Sequence, residues 1–170
     1  MSAKVMILMG SDSDWEVMSE AKKALDDRGV ACEVHVSSAH RTPERTGRLA
    51  REASGRGVQV IICGAGAAAA LAGVVAAETE LPVLGVPLAA TELRGLDALL
   101  ATLQMPAGVP VGTLAVGKAG ARNAGLLATR ILACADPALA AKVREQRERM
   151  ARDVEAKDRA LQAKLGVAEK

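Results

Sequence analysis

Short, continuous apolar runs recur along the chain with helix-length segments between them: Val5 to Met9, Ala31 to Val36, Val58 to Cys63, Val83 to Val86 and Val111 to Val116. Runs of this kind suit strands buried on both faces, and their alternation with helical segments predicts a parallel sheet covered by helices on each side. The joints are punctuated accordingly. Ser13 and Glu16 stand three apart as a capping box for a first helix, and Gly29 offers a left-handed stop before the second strand. Thr42 is placed to cap a second helix, with Pro43 in the first turn, where its missing N–H costs nothing, and Glu44 near the positive end.

Gly64 to Gly73 is a Gly/Ala stretch that must turn from the third strand into a helix, with side chains too small to hold a neighbour away. A last helix opens at Asp136-Pro137 and carries Leu139, Val143, Met150, Val154, Leu161 and Leu165. Their spacing alternates between four and seven, which keeps one apolar stripe nearly straight along the helix. Such a stripe exceeds what a finished sheet needs, so it is expected to pack on a neighbouring subunit. The expected organisation is one α/β domain over residues 1–135 and a C-terminal helix over 136–170.

Composition narrows the partners. The 170 residues are half apolar, enough for one core, and Lys and Arg exceed Asp and Glu only by 22 to 20. With those charges dispersed there is no basic stripe for nucleic acid. A single Trp, with no Phe or Tyr, leaves no aromatic platform for stacking bases or a flavin ring. Cys32, Cys63 and Cys134 lie far apart, which predicts reduced, mostly buried thiols and neither a zinc site nor a disulfide framework. No apolar stretch is long enough to span a bilayer, and the chain reads as cytoplasmic.

The chemistry sits where strands give way to helices. Ser11, Asp12, Ser13 and Asp14 follow the first strand, and Ser37-Ser38-Ala39-His40-Arg41-Thr42 follow the second. In an open α/β sheet both junctions face the crevice beyond the carboxyl ends of the strands, with helix N–H groups and positive dipole ends turned toward it. Ser13 reads as a cap. Ser11 can donate to phosphate oxygens, Asp14 can accept from ribose hydroxyls, and Arg41 can grip phosphate with a forked donor set. A cation beside His40 favours the neutral imidazole, which can accept a proton near pH 7. His35, between two valines, reads as structural. The segment Gly64-Ala65-Gly66 is expected to be a loop whose N–H groups border the same pocket. Its G-x-G-x-x-A spelling is a weak dinucleotide signal, because it follows the third strand and Glu78 and Glu80 come too early for the ribose contact.

Several of these segments in order resemble one family: Gly10-Ser11-Asp12-Ser13-Asp14-Trp15, Ser38-Ala39-His40-Arg41-Thr42-Pro43, Leu81-Pro82-Val83-Leu84-Gly85-Val86-Pro87, Gln104-Met105-Pro106-Ala107-Gly108-Val109-Pro110-Val111 and Gly117-Lys118-Ala119-Gly120-Ala121-Arg122-Asn123-Ala124. The chain is similar over about Val5 to Ala133 to the class I N5-carboxyaminoimidazole ribonucleotide mutases (PurE) of purine biosynthesis. The resemblance implies a flavodoxin-like three-layer αβα sandwich with a five-stranded parallel sheet, assembled as a homo-octamer with active sites at subunit junctions. It also implies a ribonucleotide substrate, no metal and no organic cofactor. Ser11, Ser38 and Arg41 would hold the 5′-phosphate, Asp14 the ribose, and His40 would act on the imidazole while a carboxyl group moves from the exocyclic nitrogen to ring carbon C4. Gly64, Ala65 and Gly66 would border the ring end. The loop over 64–74 departs from the family, which typically reads Gly-Ala-Gly-Gly-Ala-Ala-His-Leu-Pro-Gly-Met, so Ala67 stands for a glycine and Ala70 for the histidine. Two alternatives stay open at this point: a carboxylase of the same fold acting on a related nucleotide, and a nucleotide-binding module without turnover.

Overall fold

The computed structural model describes residues 2–166. Residue 1 and residues 167–170, the outer ends of the two expected segments, lie outside the described residues. Five strands, β1 (Val5–Met9), β2 (Cys32–Val36), β3 (Val60–Gly66), β4 (Val83–Leu88) and β5 (Gly112–Thr113), form one parallel sheet in the order β2-β1-β3-β4-β5. The helices are α1 (Trp15–Asp26), α2 (Pro43–Ala53), α3 (Leu71–Ala76), α4 (Leu96–Leu103), α5 (Lys118–Ala133) and α6 (Pro137–Leu165). This is the flavodoxin-like arrangement, whose strand order reverses between β1 and β3 and opens a crevice at their carboxyl ends.

Strand alternation builds two cores from one sheet. Val5, Ile7 and Met9 point to one face with Val60, Ile62, Leu84 and Val86, where α1 supplies Met18, Ala21 and Leu25 and α5 supplies Ala121, Ala124 and Ala128. Met6, Leu8, Ile61 and Cys63 point to the other, beneath α2 and α3. Ile62 and Leu8 are fully buried, each worth roughly 1.5–3 kcal/mol over an exposed side chain. Cys63 is buried, Cys32 half-buried and Cys134 exposed, so one of the three thiols departs from the expectation.

β3 starts at Val60 rather than Val58 and β4 runs on to Leu88 rather than ending at Val86, and three further differences from the sequence reading have a local reason. β3 runs on through Gly64, Ala65 and Gly66, because all three pair with β4 as far as Gly66 opposite Leu88. The expected loop is therefore the end of a strand. β5 is far shorter than Val111 to Val116, since Pro87 of β4 brings no N–H to the side that faces it, and only the bonds Leu114 N–H to Gly85 O and Gly117 N–H to Pro87 O continue the contact. The capping box lies one half-turn earlier than Ser13–Glu16. A 3₁₀ turn over Asp12–Asp14 precedes α1, and Ser11 caps it while the Asp14 carboxylate accepts the Ser11 N–H at 3.0 Å. The chain holds two overlapping S-x-x-[D/E] spellings, and the one nearer the strand closes first.

The expected Thr42 side-chain cap of α2 does not form, whereas the signals at Gly29 and Asp136 hold. Gly29 has φ +71° behind α1, and Asp136 caps α6 by accepting the Leu139 N–H at 3.0 Å, with Pro137 in the first turn. Along α6 Leu139 is buried and Val143 half-buried, whereas Met150, Val154, Leu161 and Leu165 are exposed. No helix among the described residues is long and apolar enough to cross a membrane.

Candidate functional site

A cavity of about 440 Å³ opens at the carboxyl end of the sheet, and both βα turns line it with Ser11, Ser13, Asp14, Ser38, His40 and Arg41. The remaining wall comes from the end of β3 and the turn into α3, with Ala65, Gly66 and the four alanines Ala67 to Ala70, and from Ala90 beyond β4. One side is thus hydroxyl, carboxylate, imidazole and guanidinium; the other is methyl groups and backbone. Gly64 does not line the cavity. It is buried within β3 between Met9 and Val86, and a Cβ there would stand 2.3 Å from the Met18 Sδ. Its part is to let α1 lie close on the sheet and so bring the first turn over the crevice.

The two turns are tied to each other. Arg41 donates from Nη2 to the Gly10 carbonyl at 3.1 Å, and its N–H reaches the Ser38 Oγ at 3.2 Å. Thr42, which makes no side-chain cap to α2, instead grips the Ser38 backbone, its hydroxyl accepting from the N–H and donating to the carbonyl at 3.0 Å each way. Below it, buried Ser37 and Thr46 share a hydroxyl hydrogen bond of 2.8 Å. His40 is exposed at the cavity rim and not packed into hydrocarbon. His35 lies in β2, 3.6 Å from the Glu33 carboxylate, outside this cavity.

In the first turn the Ser11 hydroxyl donates to the Asp12 carboxylate at 3.1 Å and accepts from Ser13 Oγ at 2.9 Å. Ser13, which the sequence presents only as a cap, therefore lines the cavity with its hydroxyl tied to that of Ser11. Burial pushes the Asp14 carboxyl above its ordinary 3.8; hydrogen bonds from the Ser11 and Gly10 backbone oppose this, Asp12 adds to it and Arg41 opposes it. The folded chain thus holds this proton more tightly than the unfolded chain, so stability rises as pH falls through the raised folded pKa toward 3.8, and the cost is complete above that window. Asp14→Asn keeps an acceptor for the Ser11 N–H and removes the buried charge. It is expected to flatten the acid side of the Tm–pH curve and to raise Tm at neutral pH, as thermal melts across that range will record.

The alanine wall carries strain. Ala67 has φ +51° and Ala69 φ +22°, left-handed values that cost an L-residue about 1–2 kcal/mol where glycine adopts them freely. Ala67→Gly is expected to stabilise the chain by roughly 0.5–1 kcal/mol, the backbone relief being partly offset by the freer unfolded chain. Denaturant unfolding checks this, and an unchanged or lower midpoint denies it. Ala90 is reached only through the topology, which brings the end of β4 to the same crevice. Among the described residues no group of three or more His, Cys, Asp or Glu is placed to hold a metal ion.

Comparison with known proteins places this arrangement in a group. A family model described as AIR carboxylase matches residues 4–153. The chain is 53% identical over 163 residues to an N5-carboxyaminoimidazole ribonucleotide mutase of Mycobacterium tuberculosis, covering 96% of this chain and 92% of that one. It is 56% identical over 137 residues to the enzyme of that name from Pseudomonas aeruginosa, covering 81% and 84%. The crystal structure of Treponema denticola PurE superposes with a TM-score of 0.84 at 28% identity, covering 92% of this chain and 97% of that one. With a family model spanning most of its length and relatives at more than half identity, the chain belongs to the AIR carboxylase family.

Proposed function

We propose that this chain is an isomerase of de novo purine biosynthesis that moves a carboxyl group from the exocyclic nitrogen to C4 of an aminoimidazole ribonucleotide. The observation that carries the reading is the single cavity on which both βα turns converge, with a guanidinium at one turn and an imidazole on the same rim. Ser11, Ser38 and Arg41 hold the 5′-phosphate, Asp14 accepts from the ribose hydroxyls, and the heterocycle extends along the alanine wall toward His40.

The chemistry follows from that pose. The N–C bond of the carbamate breaks, releasing CO2 and leaving the exocyclic nitrogen to take up a proton. Ring carbon C4 attacks the CO2, and its hydrogen must then leave as a proton. His40 removes it. Gain and loss of one proton balance, so one imidazole can serve both steps, and an apolar wall suits a neutral intermediate that must not escape. A positioned His typically contributes about 10²–10⁴-fold in such transfers. Assay of carboxyl transfer on the N-carboxylated ribonucleotide tests the assignment.

The exposed apolar positions Met150, Val154, Leu161 and Leu165 on α6, and Leu96, Leu100 and Leu103 on α4, support assembly as a homo-octamer, with α6 reaching a neighbouring subunit through those four positions. Light scattering reads this directly: an octamer is expected, and a monomer at micromolar concentration contradicts it. Three free cysteines fit the reducing cytoplasm.

A further inference from the structure

On the far side of α1 from the site just described, α6 crosses the turn between α1 and β2 and leaves a cleft of about 340 Å³. Lys142, Gln146 and Arg149, spaced for one face of α6, line it opposite Arg28. Arg28 is only 9% exposed. Its Nε donates to the Gln146 amide oxygen at 2.9 Å and its Nη1 to the Ala24 carbonyl at 2.6 Å, while Lys142 Nζ donates to the Arg28 carbonyl at 3.0 Å. Among the described residues none of Arg28, Lys142 and Arg149 forms an ion pair within 4.0 Å. The Arg28 guanidinium therefore lines the cleft, held by neutral acceptors and with no carboxylate against it, and a partly buried charge is costly unless it is paired. Burial lowers the Arg28 pKa; Asp27 opposes this, and the nearby Arg122 and Arg149 add to it.

We propose that this cleft is a second ligand site, taking the phosphate of a small phosphorylated sugar between Arg28, Lys142 and Arg149. Asp27 and Glu145 line the same cleft. They would repel a bare anion at the rim but accept from hydroxyls, which favours a phosphorylated polyol over inorganic phosphate. The cleft volume is of the size that holds such a molecule. Multidentate guanidinium and ammonium donors are the usual means of gripping phosphate, and the Gln146 bond holds the Arg28 fork in place.

Calorimetric titration of the full chain with ribose 5-phosphate tests the site separately from the catalytic reading. Two molecules per chain are expected for the unaltered protein, one for Arg41→Ala, one for Arg149→Glu and none for the double variant, with lost sites weakened at least tenfold. Lys142→Gln, a milder change, repeats the measurement should Arg149→Glu lower the melting temperature. One molecule per chain, unaffected by Arg149→Glu and by Lys142→Gln, overturns the proposal even if Arg41→Ala abolishes it. Inorganic phosphate in place of the sugar phosphate is expected to bind more weakly here, and equal binding overturns the role given to Asp27 and Glu145.

Discussion

His40→Asn is expected to lower kcat for carboxyl transfer by about 10²–10⁴-fold with little change in ligand affinity. The asymmetry follows from position. His40 stands exposed at the rim, with none of the side-chain hydrogen bonds that tie Ser38, Arg41 and Thr42 into the turn, so its removal leaves the phosphate end intact. Asn fills similar space and can form hydrogen bonds but cannot exchange a proton near neutral pH. Steady-state kinetics paired with binding of the ribonucleotide separates the two effects. Full activity in this variant removes His40 from the mechanism, and a matching loss of affinity makes it a binding residue instead.

Arg41→Ala is expected to act the other way, through binding. The guanidinium contributes charge-assisted hydrogen bonds to phosphate worth about 2–3 kcal/mol, equivalent to a rise in KM or Kd of roughly 30- to 150-fold. Part of that loss is geometric, since the same side chain bridges to the Gly10 carbonyl and holds the two turns at a fixed separation. Arg41→Lys should recover only part of the affinity, because a point charge replaces a fork. Trp15, the only indole in the chain, follows Asp14 directly and offers a fluorescence readout of occupancy. Unchanged affinity in Arg41→Ala would move the phosphate to another part of the cavity.

Much of this architecture was legible from local chemistry. Buried parallel strands leave continuous apolar runs, so β1 was readable to the residue and β2 to within one. Proline and Asp caps marked α2 and α6 because those effects act within one turn. What escaped depends on partners distant in sequence. The pairing of Gly64–Gly66 with β4, and the end of β5 opposite Pro87, are properties of a sheet register, which apolar patterning alone does not determine. The capping box read at Ser13–Glu16 is instead closed by the overlapping Ser11–Asp14 spelling, because the 3₁₀ turn before α1 starts the helical path two residues earlier.

The site divides in the same way. Residues carried on the first two βα turns were readable because polar and charged side chains interrupt an apolar background there. The wall from Ala67 to Ala70, with Ala90, bears no functional groups, and only the fold reveals that it shares a cavity with His40. The positive φ at Ala67 and Ala69 is likewise a backbone fact that composition conceals, since nothing in an alanine run announces a left-handed turn.

The claim on which the rest depends is that one cavity both clasps a nucleotide phosphate and moves a carboxyl group within the bound molecule. Supplying the purified chain with the N-carboxylated aminoimidazole ribonucleotide, and separately with the free amine plus bicarbonate, tests it most directly. Efficient conversion of the first to the C4-carboxylated product, with little from the second, is the predicted result; equal conversion of both, or tight binding with no product, would contradict it.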